Sequence, residues 1–262
     1  MFDAKDFKKY RQQIGIISQK DLKLFLSAKD IVVQINFEYV DNLTLRLKDI
    51  IKKINQTVHN EISTTNIQEF IVTNIDNVKD ILKESGIISK LNNQGRRPEQ
   101  VYFSWMRGFV IAKYFAKALS IIFGVEQSQI VSIGKDTLDN PTLFSRQPDA
   151  DFELQLQNHI IRFEIQSGYQ GINDIKQHKV REAKKQYLDK GIITVAIHFD
   201  VFNGQVAFVN ISSIEDSDIN WITRQQMEGQ TVFNINQQYF IWRLVDKPPN
   251  INDIKDIVFN DK

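Results

Sequence analysis

The stretch that decides the fold runs from residue 148 to residue 166 and reads PDADFELQLQNHIIRFEIQ. Apolar and polar residues alternate in both halves, a period of two that is typical of β-strands with one buried face. Gln157, Asn158 and His159 separate the halves and supply turn residues. We therefore predict a β-hairpin whose apolar face belongs to the core. Its other face would carry Asp149, Asp151, Glu153, Arg162, Glu164 and Gln166.

The polar face of this hairpin gathers carboxylates. Like charges on adjacent strands repel one another, which destabilises the sheet unless something neutralises them. Oxygen-rich clusters of this kind usually bind a cation. The pattern therefore indicates a cation site on the hairpin.

The flanking sequence predicts an α/β sandwich with a mixed sheet. Pro98 suits the first turn of a helix that would run to residue 123, and this helix is apolar on most sides, as a buried helix is. A short strand over 129–133 and a loop over 135–147 would lead into the hairpin. The elements predicted after the hairpin are a helix over 172–190 and strands over 192–199, 205–211, 231–234 and 239–244, with the last two forming a pair.

Residues 1–95 are predicted to form a mainly helical N-terminal region. Apolar residues recur at helical spacing over 20–28, 42–61 and 74–85, whereas the β-branched run from Ile31 to Tyr39 favours a short strand. Residues 96–262 would then form the core, with late strands available for DNA recognition.

Composition excludes several classes of function. The 262 residues carry a net charge of +1, so a uniformly basic nucleic-acid coat is excluded, although a local basic groove is not. The absence of cysteine excludes disulfides, a thiolate zinc site and a cysteine nucleophile. We expect a cytoplasmic protein without a signal peptide or a membrane span.

The hairpin resembles the pattern of the PD-(D/E)XK nucleases. Pro148 and Asp149 are followed after fourteen residues by Glu164, Ile165 and Gln166, with Gln in the usual lysine position. The predicted order of helix, three-stranded meander, helix and strand is also similar to that family's core. The resemblance covers residues 98–211 and implies a restriction-endonuclease-like fold, most often that of a type II restriction endonuclease, some of which also use Glu-x-Gln.

The resemblance implies a Mg²⁺ site built from hard oxygen ligands. Asp149 and Glu164 would be the carboxylate ligands, and the backbone carbonyl of Ile165 would add a third. Asp151 lies on the same strand face and is the alternative to Asp149, or a neighbour of the ligands. Asp149 is preferred because it follows proline, as in the family pattern.

Gln166 leaves the catalytic lysine unassigned, because an amide has no charge and no useful pKa. The metal alone could activate the water while Gln166 positions it, or a lysine could come from elsewhere. Lys176 and Lys179 fall on the inward arc of the predicted helix, where long side chains also extend simply to reach solvent. The third alternative is that the site has lost its catalytic activity.

Several polar residues are candidate DNA contacts, since cations near the site would meet phosphates. Arg107 and Gln100 share a polar stripe on the buried helix, although pairing of Arg107 with a structural carboxylate is an equal alternative. The candidate DNA-binding residues are Arg107, Arg97, Gln100, Arg181 and Lys184.

The sequence thus predicts a Mg²⁺-dependent type II restriction endonuclease that hydrolyses double-stranded DNA, and the resemblance suggests a homodimer. A repair or recombination nuclease on the same core is one alternative. A non-catalytic DNA-binding protein, with structural carboxylates, is the other.

Overall fold

A computed structural model describes residues 3–27, 31, 33–91, 96–134, 150–225 and 229–259. Nine α-helices and nine β-strands are present in these ranges. The helices are α1 Ala4–Gln13, α2 Gln19–Ser27, α3 Phe37–Thr57, α4 Ile67–Ile71, α5 Asn77–Glu84, α6 Ile87–Lys90, α7 Pro98–Phe123, α8 Gln177–Lys190 and α9 Ile251–Phe259. The strands are β1 Val131–Ser132, β2 Phe152–Leu156, β3 His159–Gly168, β4 Asp174–Lys176, β5 Ile193–Asp200, β6 Gln205–Asn210, β7 Trp221–Arg224, β8 Gln230–Asn234 and β9 Phe240–Arg243.

The main sheet has six strands in the order β1-β2-β3-β5-β6-β9. Strands β3 and β5 are parallel and are connected through α8, and the other neighbours are antiparallel. A second sheet has the order β4-β8-β7. The predicted mixed sheet flanked by helices is therefore confirmed, including the order of helix, three-stranded meander, helix and strand.

Helix α7 lies against the apolar face of the main sheet. Phe115 stacks on Phe199 of β5 with ring centroids 4.1 Å apart, and Phe123 contacts Phe163 of β3 at 4.7 Å. The same apolar core continues into α3, α5 and α6 on the other side of α7. This double burial explains why α7 is apolar on most sides. Even so, none of the described helices has the length and hydropathy of a membrane span.

Helix α8 covers the opposite face of the sheet. Val180 and Ala183 pack with Ala196 of β5 in a second apolar cluster that also includes Ile175 and Phe233 of the small sheet. The polar residues of β3 face into this second layer, so the hairpin's polar face is covered in part.

Three expectations about elements are wrong. The run from Ile31 to Tyr39 forms no strand in the part that is described, because Asn36 caps α3 and Phe37 already belongs to that helix. The predicted helix over 172–190 begins only at Gln177, since residues 174–176 pair with β8 as strand β4. Strands β8 and β9 are not partners but lie in different sheets. Helix α9 after Pro249 was not predicted.

Candidate active site

Glu164 is the centre of the candidate site. It lies on β3, which is flanked by β2 and β5, and it pairs in register with Ala196. Only 4% of the residue is exposed. Burying a carboxylate in this way costs free energy unless the group is paired or hydrogen-bonded.

Lys179 supplies that pairing from the first turn of α8. Its Nζ donates a hydrogen bond to Oε1 of Glu164, and the two side chains form an ion pair. The Lys179 side chain remains 24% exposed, whereas that of Glu164 is 6% exposed. Part of the Lys179 side chain therefore reaches solvent while its ammonium binds the buried carboxylate.

Asp151 immediately precedes β2 and is bonded to the β3 residues on either side of Glu164. Phe152 faces Phe163 at the end of the β2–β3 ladder, and Asp151 is the residue before it. The backbone N–H of Asp151 donates to Phe163 O at 2.9 Å, and its Oδ2 accepts the N–H of Ile165 at 2.7 Å. The carboxylate is thus held against the backbone of β3, one residue from Glu164.

The Ile165 carbonyl is directed toward the same place. The N–H and the C=O of one strand residue point to the same neighbouring strand. The Ile165 N–H is bonded to Asp151, so the C=O of Ile165 also points to the β2 side. It lies beyond Phe152, the first residue of β2. Two carboxylates and a carbonyl oxygen therefore occupy neighbouring positions on β2 and β3.

A small cavity of about 30 Å³ lies next to the ion pair, enough for one or two water molecules. Glu164 and Lys179 line it together with Glu182 and Gln186 from the next turns of α8. Arg162 completes the lining and is itself paired with Glu153 at 2.9 Å. Water can therefore be accommodated beside the buried carboxylate.

Gln166 follows Glu164 on the same side of β3 and pairs in register with His198 of β5. His198 is 3% exposed, and its Nε2 is hydrogen-bonded to Asn173 Oδ1 at 2.8 Å. Burial lowers the pKa of His198 to about 4, against the opposing effect of Asp200 and Asp174. The imidazole beside Gln166 is therefore neutral at physiological pH.

Arg107 lies where β3 ends. Its guanidinium stacks over the ring of Tyr169, with 4.7 Å between Cζ and the ring centroid. The buried Nε of Arg107 has no hydrogen-bond partner among the described residues. Among the described residues no carboxylate is paired with Arg107, and both interpretations of Arg107 stay predictions.

The remaining predicted site residues have varied environments. Lys176 was predicted to lie on a helix, but it is an exposed residue of strand β4. Arg97 binds Glu99 at 3.0 Å and lies over the Tyr39 ring. Lys184 pairs with Asp216 at 3.1 Å. Gln100 and Arg181 are exposed on α7 and α8, respectively.

Asp149 lies outside the described residues, so its predicted role as a ligand stays a prediction. Within the described ranges there is no group of three or more His, Cys, Asp or Glu side chains with metal-binding geometry. The carboxylates that the structure brings together are Asp151 and Glu164. Asp151 is bonded to Phe163 and Ile165, the residues on either side of Glu164 in β3.

Sequence reasoning missed three residues near the site. Glu182 lies one turn after Lys179, a spacing that places both side chains on one helix face. Tyr169 and His198 gave no signal, because their positions depend on how β3 and β5 pair.

Comparisons with known proteins include a solved structure that is similar to the chain. No protein-family model matches the chain, and no curated protein matches it. The chain is similar to Hjc, a Holliday junction resolvase from the archaeal hyperthermophile Archaeoglobus fulgidus, at 11% sequence identity and a TM-score of 0.31. The match covers 50% of this chain and 91% of that one. The function must therefore be argued from the residues of the site.

Proposed function

We propose that the chain is a Mg²⁺-dependent endodeoxyribonuclease whose site is formed by Asp151, Glu164 and Lys179. The observation that carries the proposal is the hydrogen bond from Lys179 Nζ to the buried Glu164, next to the Asp151 carboxylate. This places a lysine and two acids together although the usual lysine position holds Gln166. The PD-(D/E)XK resemblance of the hairpin and the order of its elements support the same function.

The donor set fits Mg²⁺. This ion is usually bound by one or two carboxylates and retains several waters, and Asp151, Glu164 and the Ile165 carbonyl offer only oxygen. Asp149 would add a further carboxylate from outside the described residues. Bound there, Mg²⁺ would neutralise charge on the scissile phosphate and activate the attacking water.

Lys179 has the chemistry of the missing lysine. Its side chain is partly exposed, so its ammonium could donate to a phosphate oxygen while its stem stays fixed on α8. Charge-assisted donors of this kind stabilise the negative charge that develops on the phosphate in the transition state. Gln166 can hold a water through its amide but cannot take up its proton.

Contacts to the DNA backbone would come from cations around this centre. Arg107 is held by Tyr169 and has a donor without a protein partner in the described structure. Arg181 is exposed on α8, two residues after Lys179. Such residues position a duplex through its phosphates but do not specify its sequence.

The form of the activity that we propose is a type II restriction endonuclease acting as a homodimer on double-stranded DNA. The test is digestion of supercoiled plasmid, linear duplex and a four-way junction, each with Mg²⁺ and with EDTA. Discrete fragments with fixed ends support a restriction enzyme, whereas cleavage confined to the junction supports a repair or recombination nuclease. Binding without cleavage of any substrate contradicts the nuclease and supports a non-catalytic DNA-binding protein.

A further inference from the structure

A cavity of about 420 Å³ adjoins the candidate active site. Asp151 and Phe152 line it where β2 begins, and Trp105 and Phe109 line it from α7. Its volume lies in the range of about 300–1,000 Å³ that is typical of ligand pockets. The cavity can therefore take part of a substrate whose reacting phosphate lies at Asp151.

A second cavity, of about 340 Å³, continues the first. Four residues line both cavities: Asn74, Lys113, Ser132 and Phe152. The two cavities therefore form one groove beside α7, with Asp151 in the lining of the first and Gln127 in the lining of the second. We call this the α7 groove. Its elongated form suits a chain of linked units better than a single compact ligand.

The α7 groove has an aromatic wall. The rings of Trp105 and Phe109 are stacked, with centroids 5.1 Å apart and 19° between their planes. Aromatic side chains on which bases stack are the common feature of sites that bind single-stranded nucleic acid. Thr73, Asn74 and Ser104 line the same cavity and offer donors and acceptors for base edges or sugars.

Lys113 adds a positive charge where the two cavities meet. Its Nζ lies 5.6 Å from the centroid of the Phe109 ring and 5.9 Å from that of the Phe152 ring. An ammonium at this place can bind a phosphate of a strand that runs along the groove. Aromatic rings for bases together with a cation for the backbone indicate a single nucleic-acid strand rather than an apolar protein segment.

Two backbone features of the groove also indicate a ligand. Residues Val72–Asp76 form a π-helix between α4 and α5, a rare conformation that occurs frequently at functional sites, and this π-helix includes Thr73 and Asn74. Gly108 lies in the interior of α7, where glycine is destabilising relative to alanine. It lines the first cavity, and a Cβ there would meet nothing within 4 Å. The missing side chain leaves room in the groove.

We propose that the α7 groove binds an unpaired segment of the DNA strand that continues from the phosphate at the candidate active site. The preferred substrate is then a duplex with a single-stranded tail. The proposal rests on the proposed nuclease function, although not on its restriction form.

The first test compares a blunt duplex with the same duplex carrying a short single-stranded tail of either polarity. Binding is measured by fluorescence anisotropy in EDTA, so that no strand is cut. A tailed duplex should bind about 5- to 150-fold more tightly, which is the effect of stacking one base on an aromatic side chain. Gly108→Leu fills the groove and should remove most of this preference. The matched control is Lys117→Leu, which places the same side chain on α7 outside the groove and should keep the preference.

Photo-cross-linking tests the position on the unchanged chain, whether or not Gly108→Leu folds. A tail that carries iodouracil should cross-link to the peptide that contains Trp105 and Phe109. A cross-link confined to other peptides overturns the proposal. So does equal binding of the tailed and blunt duplexes, or an unchanged preference in folded Gly108→Leu.

The proposed nuclease function is tested separately by cleavage with Mg²⁺. If cleavage persists while the tail gives no preference, the groove proposal fails and the nuclease function stands. If neither DNA is bound, the nuclease function is contradicted and the groove proposal fails with it.

Discussion

Replacing Lys179 with methionine separates a catalytic lysine from a merely structural one. Methionine has a similar length and can fill the same space without the charge. The substitution leaves Glu164, which is 4% exposed, without its cationic partner. Both stability and DNA cleavage should respond.

The stability cost follows from the burial of the pair. A hydrogen bond to a charged group contributes about 1.5–3 kcal/mol, and Lys179 is partly screened because a quarter of its side chain is exposed. We expect a loss of about 2 kcal/mol, which is roughly 4–8 °C in Tm for a chain of this size. Cleavage should fall by about 10²–10⁴-fold.

Two controls on the same scaffold calibrate these values. Lys184 has nearly the same exposure as Lys179, but its partner Asp216 is 94% exposed, so Lys184→Met should cost less than about 0.5 kcal/mol. Lys117 on α7 donates to the Ser63 carbonyl on the other side of the molecule, and Lys117→Met should leave cleavage unchanged. Lys179→Arg restores the charge and should recover part of the activity.

The assay is single-turnover plasmid cleavage with Mg²⁺, below the Tm of every variant. A folded Lys179→Met protein that cleaves at the wild-type rate would refute the role of Lys179. If Lys117→Met also lost cleavage, the effect of Lys179→Met would not be specific to the site.

Other predictions concern the surroundings of the site. Asp151→Asn keeps an acceptor for the Ile165 N–H but removes the charge, so cleavage should fall about 100-fold or more with little change in Tm; an unchanged dependence on Mg²⁺ would count against Asp151 as a ligand. His198 has a folded-state pKa of about 4, below its ordinary value, so unfolding takes up a proton. Stability should fall by up to about 3 kcal/mol as the pH decreases from 6.5 to 4, then level off, and urea titrations of His198→Gln should lack this component. Gly168→Ala would place a Cβ 2.8 Å from His198 Nε2 and should lower Tm, whereas Gly108→Ala in α7, where a Cβ meets nothing within 4 Å, should raise it by an amount equivalent to about 0.5–1 kcal/mol.

The parts of the fold that follow from local patterns were predictable. The alternation over residues 152–166 specified the β2–β3 hairpin, and Pro98 and Gly124 marked the ends of α7. Patterns of this kind depend on the residue's own strand or helix and need no tertiary information.

The errors arose where tertiary pairing overrides local preference. Residues 174–176 continue the polar pattern of α8, yet they pair with β8 because Ile175 is buried in the second apolar cluster. Strands β8 and β9 are neighbours in sequence but bond to different sheets, which no local pattern indicates. The β-branched run before α3 is a different case, because the cap that begins the helix at Asn36 is itself a local feature.

The site was predictable to the extent that it depends on the hairpin. Glu164 could be placed because the alternation along β3 fixes which of its residues share the polar face, whereas Asp151 was only the alternative to Asp149. The contact of Lys179 with Glu164 depends on how α8 crosses the sheet, so the sequence offered it only as one alternative. Tyr169 and His198 depend on pairing between distant segments.

The most direct test of the catalytic centre is a crystal structure of the protein with uncleaved duplex DNA and Mn²⁺, which marks the metal by its anomalous scattering. We predict an anomalous peak within coordination distance of Asp151 and Glu164, with Lys179 Nζ moved from Glu164 to a phosphate oxygen. A peak elsewhere, or Lys179 still bound to Glu164 while the phosphate lies far from both, would contradict it.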